Sequence, residues 1–197
     1  MNVYERLSPR DRLFWGSVGV ISIMSFYFMF VFIGKDQFNY SGFREAVYKE
    51  RFSIMVPPYL LEDDSLHASA QLAFSDYSNE VYLMVIEERK RDLQRRDIQP
   101  FLQEYFHYLG DNVSSMLGNA PLAELKDHQL GNMHVVSGEF NGHYGGVPVF
   151  YILSTYESEQ AFYQVRGWTA QHAKNSVKKD LYASIQSFRL KEKRSRR

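Results

Sequence analysis

The chain has 197 residues, with 23 basic and 23 acidic side chains and no cysteine. The zero net charge averages unlike parts, because residues 1–12 carry +1, residues 35–188 carry −6 and residues 189–197 carry +5. The acidic central part would repel phosphate, which argues against a nucleic-acid binder, and the missing cysteine excludes disulfides, thiolate metal sites, thiol catalysis and lipoprotein acylation.

An uncharged segment, residues 13–34, lies between Arg12 and Lys35. As a helix its first 21 residues would be roughly 31 Å long, which matches the hydrocarbon core of a bilayer. A cleaved signal peptide is the alternative, but its apolar region is shorter and is followed by small residues at a cleavage site. We therefore predict one transmembrane helix over residues 13–34, with Trp15 as an anchor at the membrane interface.

Small residues recur along this predicted helix. Gly16, Gly19, Ser22 and Ser25 fall three apart on one flank, where they either admit a second helix closely or are ordinary residues of a membrane span. The positive-inside rule gives weak guidance, because basic residues are nearly balanced around the span. A short basic leader, residues 1–12, is typical of a signal anchor, so we expect a cytoplasmic N-terminus and an extracytoplasmic domain, periplasmic in a bacterium.

Residues 35–50 mix polar and aromatic side chains. They predict a tether between the membrane and the domain, partly helical at the level of the lipid headgroups. In this assignment the aromatic side chains have no core to join, so we expect them to contact the membrane or a partner. These candidate partner-contact residues are Phe38, Tyr40, Phe43 and Tyr48.

Residues 51–190 are enough for one domain with its own hydrophobic core. The apolar segment 51–56 predicts a first strand, and the segments 69–76 and 81–86 predict a hairpin. The highly charged residues 87–97 predict a solvated connection.

A helix is predicted over residues 98–117, where apolar residues recur with a period of 3.6. Asp97 can cap its start and Gly118 can end it. Four segments that follow predict an antiparallel meander: 123–130, 133–144, 147–156 and 161–168.

Gly145-Gly146 marks a hairpin turn within this meander. Residues 147–156 are apolar on both alternating faces, which is typical of a central strand. Thr169 can cap a last helix over residues 170–188, whose polar face carries Lys174, Lys178 and Lys179. The order of elements predicts an α+β fold in which one antiparallel sheet lies between helices.

Several segments resemble the PsbP-like superfamily, which includes DcrB-type bacterial proteins and Mog-type Ran-binding proteins. They are the strand FSIMVPPYL, the hairpin SAQLAFSDYSNEVYLMVIEE, the helix FLQEYFHYL and the closing run AFYQVRGWTAQHAKNSVKKDLYASIQSFRL with its Ser187-Phe188 pair. The resemblance covers about residues 50–190 and implies an α/β/α sandwich that serves as an accessory or binding module. The chain departs from the family by lacking a lipobox cysteine, by the predicted transmembrane helix and by a basic tail, residues 191–197.

Patterns that carry chemistry are weak in this sequence. Glu104, His107 and Asp111 have a metal-ligand spacing, but they lie on the polar face of the predicted helix, which favours a solvated face. The G-x-S-x-G elbow and the Walker A loop are absent.

Glu139, Asn141 and His143 alternate along a predicted strand and indicate a surface that faces water. We therefore assign no catalytic, cofactor-binding or metal-binding residue and expect no cofactor.

The sequence predicts a membrane-anchored, non-enzymatic accessory subunit whose extracytoplasmic PsbP-like domain docks on a larger membrane protein complex. Its expected partners are the lipid bilayer and that complex, and not nucleic acid. The alternative is a membrane-tethered binding module for a small ligand or ion, and an unrecognised hydrolase comes third. The basic tail, residues 191–197, either binds anionic headgroups or is a frayed solubilising end.

Overall fold

Two antiparallel sheets and three helices make up residues 40–98 and 101–191, which the structure, a computed structural model, describes. The strands are β1 (Arg44–Tyr48), β2 (Phe52–Val56), β3 (Leu61–Glu62), β4 (Leu72–Asp76), β5 (Val81–Arg89), β6 (Leu122–Leu130), β7 (Met133–Tyr144), β8 (Val147–Glu157), β9 (Ala161–Ala170) and β10 (Arg189–Leu190). The helices are α1 (Lys90–Gln94), α2 (Leu102–Met116) and α3 (Lys174–Gln186).

The larger sheet has seven strands in the order β3-β4-β5-β9-β8-β7-β6, and the smaller sheet has the order β1-β2-β10. Most neighbours in the larger sheet are joined by hairpins, and β5 pairs with β9 across the sheet centre. The turn between β7 and β8 is formed by Gly145 and Gly146, both with positive φ, as a tight hairpin turn requires. The predicted α+β class and the predicted meander are confirmed.

Each face of the larger sheet has its own core. On one face, α3 and the smaller sheet cover the apolar side chains of β5, β8 and β9, with Phe52, Leu181 and Phe188 fully buried. On the other face, α2 covers β7 and β8, with Phe106 and Phe140 fully buried. The strand β8 is therefore buried on both faces, as predicted.

The smaller sheet corrects two predictions. Residues 44–48, predicted as part of a tether, form β1 and pair with β2. The strand was missed because only Ala46 is buried, so the apolar alternation is too weak to recognise. The first predicted strand is β2, but it lies in the second sheet between β1 and β10 rather than in a single sheet.

The predicted helix starts are also corrected. Asp97 has a positive φ of 57°, and α2 begins at Leu102 without a side-chain cap. Thr169 lies inside β9, because that strand runs to Ala170 before α3 begins at Lys174. Sequence reasoning ended the strand two residues early and so placed the cap inside it.

The end of α2 agrees with the prediction. Gly118 has a φ of 73°, and the N–H of Asn119 donates to the carbonyl of Ser114 at 2.8 Å. The Gly118 N–H reaches the carbonyl of Ser115 at 3.3 Å. A residue with positive φ and these two bonds complete the helix end in a Schellman arrangement.

The charged segment 87–97 is not simply a solvated connection. Strand β5 continues through Arg89, and α1 follows, with the side chain of Leu93 fully buried against α2. Leu93 is the one apolar residue among the eleven of this segment, so the sequence shows no apolar period there. Its burial nevertheless attaches the segment to the core.

Several predictions fall on residues outside the described ranges. They concern the leader, the transmembrane helix with Trp15, Gly16, Gly19, Ser22 and Ser25, the aromatic residue Phe38, and the tail beyond residue 191. Within residues 40–98 and 101–191, no helix is long and apolar enough to cross a bilayer.

Candidate functional site

A row of aromatic side chains crosses the α2 face of the larger sheet in direct register. Tyr82 pairs with Trp168, Trp168 with Tyr151, and Tyr151 with Phe140 on four successive strands. The rings of Tyr82 and Trp168 are stacked at 5.1 Å, and those of Trp168 and Tyr151 at 5.6 Å, with planes within 16° of parallel. Cross-strand aromatic pairs of this kind stabilise a sheet beyond the area they bury.

The row emerges from the core into solvent. Phe140 and Tyr151 are 0% and 2% exposed among the side chains of the α2 core, while Trp168 and Tyr82 are partly exposed. Tyr77, in the turn between β4 and β5, is 65% exposed and meets the Tyr82 ring edge to face at 5.8 Å. We call Tyr77, Tyr82 and Trp168 the aromatic patch.

A carboxylate holds the most exposed ring of the aromatic patch in place. Oδ2 of Asp63 accepts hydrogen bonds from the Tyr77 and Ser75 hydroxyls, both at 2.8 Å. Oδ1 of Asp63 accepts from the hydroxyl and the N–H of Ser65. Led by the bond from Ser65, these hydrogen bonds lower the pKa of Asp63 to about 2, so this carboxylate is charged at neutral pH.

Two further carboxylates lie at the same turn. Asp76 accepts hydrogen bonds from Ser78 and Asn79, and Glu80 lies 3.8 Å from the imidazole of His172. Burial raises the pKa of the Tyr82 hydroxyl, and the charges of Glu80, Asp63 and Asp76 raise it further. The exposed end of the aromatic row therefore lies in a negative field.

A buried network of hydrogen bonds lies deeper on the same face of the sheet. Tyr105 of α2 donates its hydroxyl to Oε2 of Glu88, and Nε2 of Gln164 lies 2.6 Å from both of these oxygens. Arg96 donates to Oε1 of Glu88 at 2.5 Å, and Arg166 donates to the side-chain oxygen of Gln164. The network ties α2 to β5 and β9.

The buried network is not arranged for nucleophilic chemistry. Burial, together with the charge of Glu88, raises the pKa of the Tyr105 phenol, so this hydroxyl stays protonated at neutral pH. Gln164 is 2% exposed and its amide is fully used within the network. The arrangement holds α2 on the sheet.

A cleft of about 440 Å³ opens where β5 continues beyond the start of β4. At this edge the side-chain oxygen of Gln71 accepts the N–H of Glu87 at 2.5 Å. The Glu87 side chain is 5% exposed and its Oε1 pairs with Arg51, while its Oε2 has no hydrogen-bond partner in the part of the chain that the structure describes. Six charged residues line the cleft: Arg51, Arg89, Arg96, Glu87, Glu88 and Asp92.

The candidates on α2 lie where the sequence placed them. Glu104, His107 and Asp111 are exposed on the outer face of α2, so the prediction of a solvated face is confirmed. Within residues 40–98 and 101–191, none of these three side chains forms a hydrogen bond or ion pair with the aromatic patch, the buried network or the cleft.

The prediction that Glu139 faces water is wrong. Glu139 is 2% exposed, because α3 packs across this face and brings the Lys178 ammonium within 2.9 Å and the Tyr182 hydroxyl into hydrogen-bond contact. Burial acts to raise the pKa of Glu139, but the bonds from Lys178 and Tyr182 outweigh it and hold the pKa below its usual value. Asn141 and His143, further along β7, are exposed as predicted.

The lysines of α3 are therefore not all solvated. Lys174 donates to the side-chain oxygen of Asn141 at 3.0 Å, and its ammonium lies over the Phe150 ring at 4.3 Å. Lys178 is bound to Glu139, and Lys179 alone of the three remains exposed. The spacing of Lys174, Lys178 and Tyr182 by four residues was the signal that one flank of α3 turns toward β7.

Of the aromatic residues predicted to contact a partner, Tyr48 packs against the core beneath the smaller sheet and Tyr40 contacts α3, while Phe38 lies outside the described residues. Tyr48 stacks on Phe52 at 5.3 Å, and Tyr40 contacts Phe43 edge to face at 5.8 Å. The Tyr40 hydroxyl donates to the carbonyl of Ala183 in α3 at 3.3 Å. The premise that these side chains have nothing in the domain to pack on is therefore wrong for Tyr40 and Tyr48. A partner contact at the four residues stays a prediction.

No protein-family model and no curated protein matches this chain. Among solved structures, the chain is similar to cyanobacterial PsbP (CyanoP) from Synechocystis sp. PCC 6803, with 14% identity and a TM-score of 0.53 over 76% of this chain and 92% of that one. The fold is PsbP-like.

Two further solved structures align with lower scores. One is LpqN, described as involved in cell envelope biogenesis of Mycobacterium tuberculosis, with 10% identity and a TM-score of 0.49 over 76% of this chain and 92% of that one. The other is PA94 from Pseudomonas aeruginosa, with 10% identity and a TM-score of 0.45 over 74% of this chain and 94% of that one. The PsbP-like architecture expected from the sequence is thus confirmed by the likeness to CyanoP.

Proposed function

We propose that this chain is a membrane-anchored, non-enzymatic accessory protein whose PsbP-like domain docks on a membrane protein complex through the aromatic patch. The observation that carries the proposal is the stacked row of rings that leaves the core and ends in Tyr77, which is 65% exposed. Tryptophan and tyrosine are enriched among the residues that dominate binding energy at protein interfaces.

The aromatic patch is rigid before it binds. Trp168 is held between the rings of Tyr82 and Tyr151, and Tyr77 is fixed by its bond to Asp63. Ordering a flexible side chain at an interface costs roughly 0.5–1.5 kcal/mol, and these rings are already ordered by the sheet. The patch therefore offers these ring surfaces to a partner at a low entropic cost.

Anchoring by the predicted helix over residues 13–34 adds a second attachment. Two tethered contacts bind more tightly than either alone, because the first raises the effective concentration of the second. Replacing residues 13–33 by a generic poly-leucine helix should preserve insertion but weaken retention of the partner.

Protease added to right-side-out spheroplasts should digest the domain if it is extracytoplasmic, and full protection until lysis would contradict this orientation.

Photo-crosslinking in the native membrane tests the docking site. A benzoylphenylalanine placed at Tyr77 or Tyr82 of the full chain should give a discrete crosslinked species. The matched control is Tyr108, which is 44% exposed on the outer face of α2. Equal crosslinking at Tyr108, or none at Tyr77 and Tyr82, would refute docking through the aromatic patch.

A second candidate function, binding of a small polar ligand, is favoured by the cleft beside β5. Its walls carry both signs of charge, and the buried Oε2 of Glu87 lacks a hydrogen-bond donor among the described residues. Such walls suit a zwitterion. Titration with glycine, followed by the amide NMR signals of Glu87 and Arg89, should shift these signals and leave those of β6 unchanged, whereas unchanged signals throughout would reject this candidate.

A further inference from the structure

The carboxylates around the aromatic patch are not neutralised by the protein itself. Asp63 and Asp76 accept their hydrogen bonds from neutral donors, the hydroxyls and amides of serine, tyrosine and asparagine side chains and nearby backbone. Within residues 40–98 and 101–191, no lysine or arginine forms an ion pair with Asp63, Asp76 or Glu80, and Glu80 has only the imidazole of His172 at 3.8 Å.

The guanidinium nearest to Trp168 on β9 is bound to a residue outside the aromatic patch. Arg166 lies two residues before Trp168 on β9, and it donates to Gln164, on the side of the buried network. Arg166 also lies near Tyr151, toward the covered end of the aromatic row. Burial raises the pKa of that phenol, and the charge of Arg166 acts against this rise. The exposed end of the row thus keeps its negative charge.

The Tyr77 ring is electron-rich. Its hydroxyl donates to the ionised carboxylate of Asp63 at 2.8 Å, which polarises the phenol. The faces of aromatic rings carry a negative quadrupole that attracts cations, and arginine and lysine are the side chains that exploit it. Trp168 is stacked on both faces, by Tyr82 and Tyr151, and Tyr82 is stacked on one face, so the Tyr77 ring is the most exposed of the three.

We infer that the partner segment docking on the aromatic patch is cationic and places a lysine or arginine side chain over the Tyr77 ring, beside Asp63 and Glu80. This inference rests on the docking function proposed above and names the chemistry of the partner. The apolar part of the segment covers the outer edges of Tyr82 and Trp168, and its charge meets the carboxylates.

Binding of a hexa-arginine peptide tests the inference. The full chain, carrying Trp15→Phe so that Trp168 is its one remaining tryptophan, is placed in phosphatidylcholine nanodiscs, and quenching of Trp168 fluorescence reports binding. Tyr77→Leu and Glu80→Gln should each weaken binding about twofold to fivefold, which is the range for an exposed cation–π contact or ion pair. Raising the salt concentration should weaken binding further.

The domain is acidic overall, so nonspecific attraction needs a matched control. Glu104→Gln removes one exposed carboxylate from the outer face of α2. An equal loss of affinity in Glu104→Gln and Glu80→Gln would overturn the inference, as would equal binding of a hexa-glutamate peptide. Glu80→Gln leaves the hydrogen bonds of Asp63 to Ser65, Ser75 and Tyr77 intact. A loss of affinity in this variant therefore does not come from a change in those contacts.

The crosslink at Tyr82 separates this inference from the docking proposal. If the crosslinked species persists unchanged in Glu80→Gln and Asp76→Asn, the docking stands and the cationic partner is refuted. A weaker crosslink in both variants, with no change in Glu104→Gln, supports a cationic segment. Absence of the species in the unmodified chain refutes the docking proposal itself.

Discussion

Replacing Gly142 by alanine should destabilise the domain through one contact between β7 and the end of α2. A Cβ at this position would lie 2.4 Å from the carbonyl oxygen of Leu117 and 2.7 Å from Cβ of Ala120. The same carbonyl accepts the N–H of His143 at 3.0 Å, so it is held by the strand that would push it away. Both obstructing atoms belong to parts of the chain that cannot rotate aside, so the helix end must move.

Overpacking of this kind costs about 1–3 kcal/mol and occasionally more. We expect about 3 kcal/mol for Gly142→Ala, a large fraction of the roughly 5–15 kcal/mol that stabilises a domain. The matched control is Gly110→Ala in α2, where the new Cβ would meet only Cζ of Phe140 at 3.7 Å. Alanine gains about 0.8–1.0 kcal/mol over glycine inside a helix, so this variant should be more stable than the parent.

Thermal unfolding of the full chain with Trp15→Phe measures both changes through the fluorescence of Trp168. Gly142→Ala should lower the melting temperature by about 6–12 °C and Gly110→Ala should raise it. Equal stability of Gly142→Ala and the parent would mean that the contact between Leu117 and β7 is wrong. A loss of stability in Gly110→Ala would refute the packing of α2 against Phe140.

The same unfolding assay tests three further predictions. Leu109→Asp should unfold the domain, because Leu109 is 4% exposed and a buried unpaired carboxylate costs several kcal/mol, while the exposed His107→Ala should leave it folded. Tyr105→Phe should cost about 1.5–3 kcal/mol, since it removes a hydrogen bond to the Glu88 carboxylate. Folding lowers the pKa of Asp63 from 3.8 to about 2. The stabilisation by its carboxylate is therefore present above pH 3.8 and is lost as the pH falls toward 2. In Asp63→Asn, stability should fall less steeply across this pH range.

The elements that were predictable have strong local periods. The helix α2 shows an apolar stripe every 3.6 residues, and β8 shows apolar residues on both faces. Two steps of the aromatic row also follow from local signals. The turn at Gly145-Gly146 fixes the register of β7 and β8 and so places Phe140 opposite Tyr151. The short turn after β8 similarly places Tyr151 opposite Trp168.

The exposed end of the aromatic row could not be predicted from local sequence patterns. Tyr82 meets Trp168 because β5 pairs with β9, two strands separated by more than seventy residues. Hydrophobic periodicity shows that both strands are buried but not that they are neighbours. For the same reason Glu139 was assigned to water, since its environment is set by α3, which crosses β7 only in the folded chain.

The smaller sheet joins strands that are far apart in the sequence, so it is completed late in synthesis. Strand β2 pairs on one side with β1, which precedes it, and on the other with β10, at residues 189 and 190. A ribosome adding roughly 5–20 residues per second needs about 7–27 s between these strands. Until these last residues are made, the fully buried Phe52 lacks the ring of Phe188, 5.6 Å away in the folded domain, and its pairing with β10. A nascent chain stalled before residue 188 would therefore expose apolar surface to chaperones.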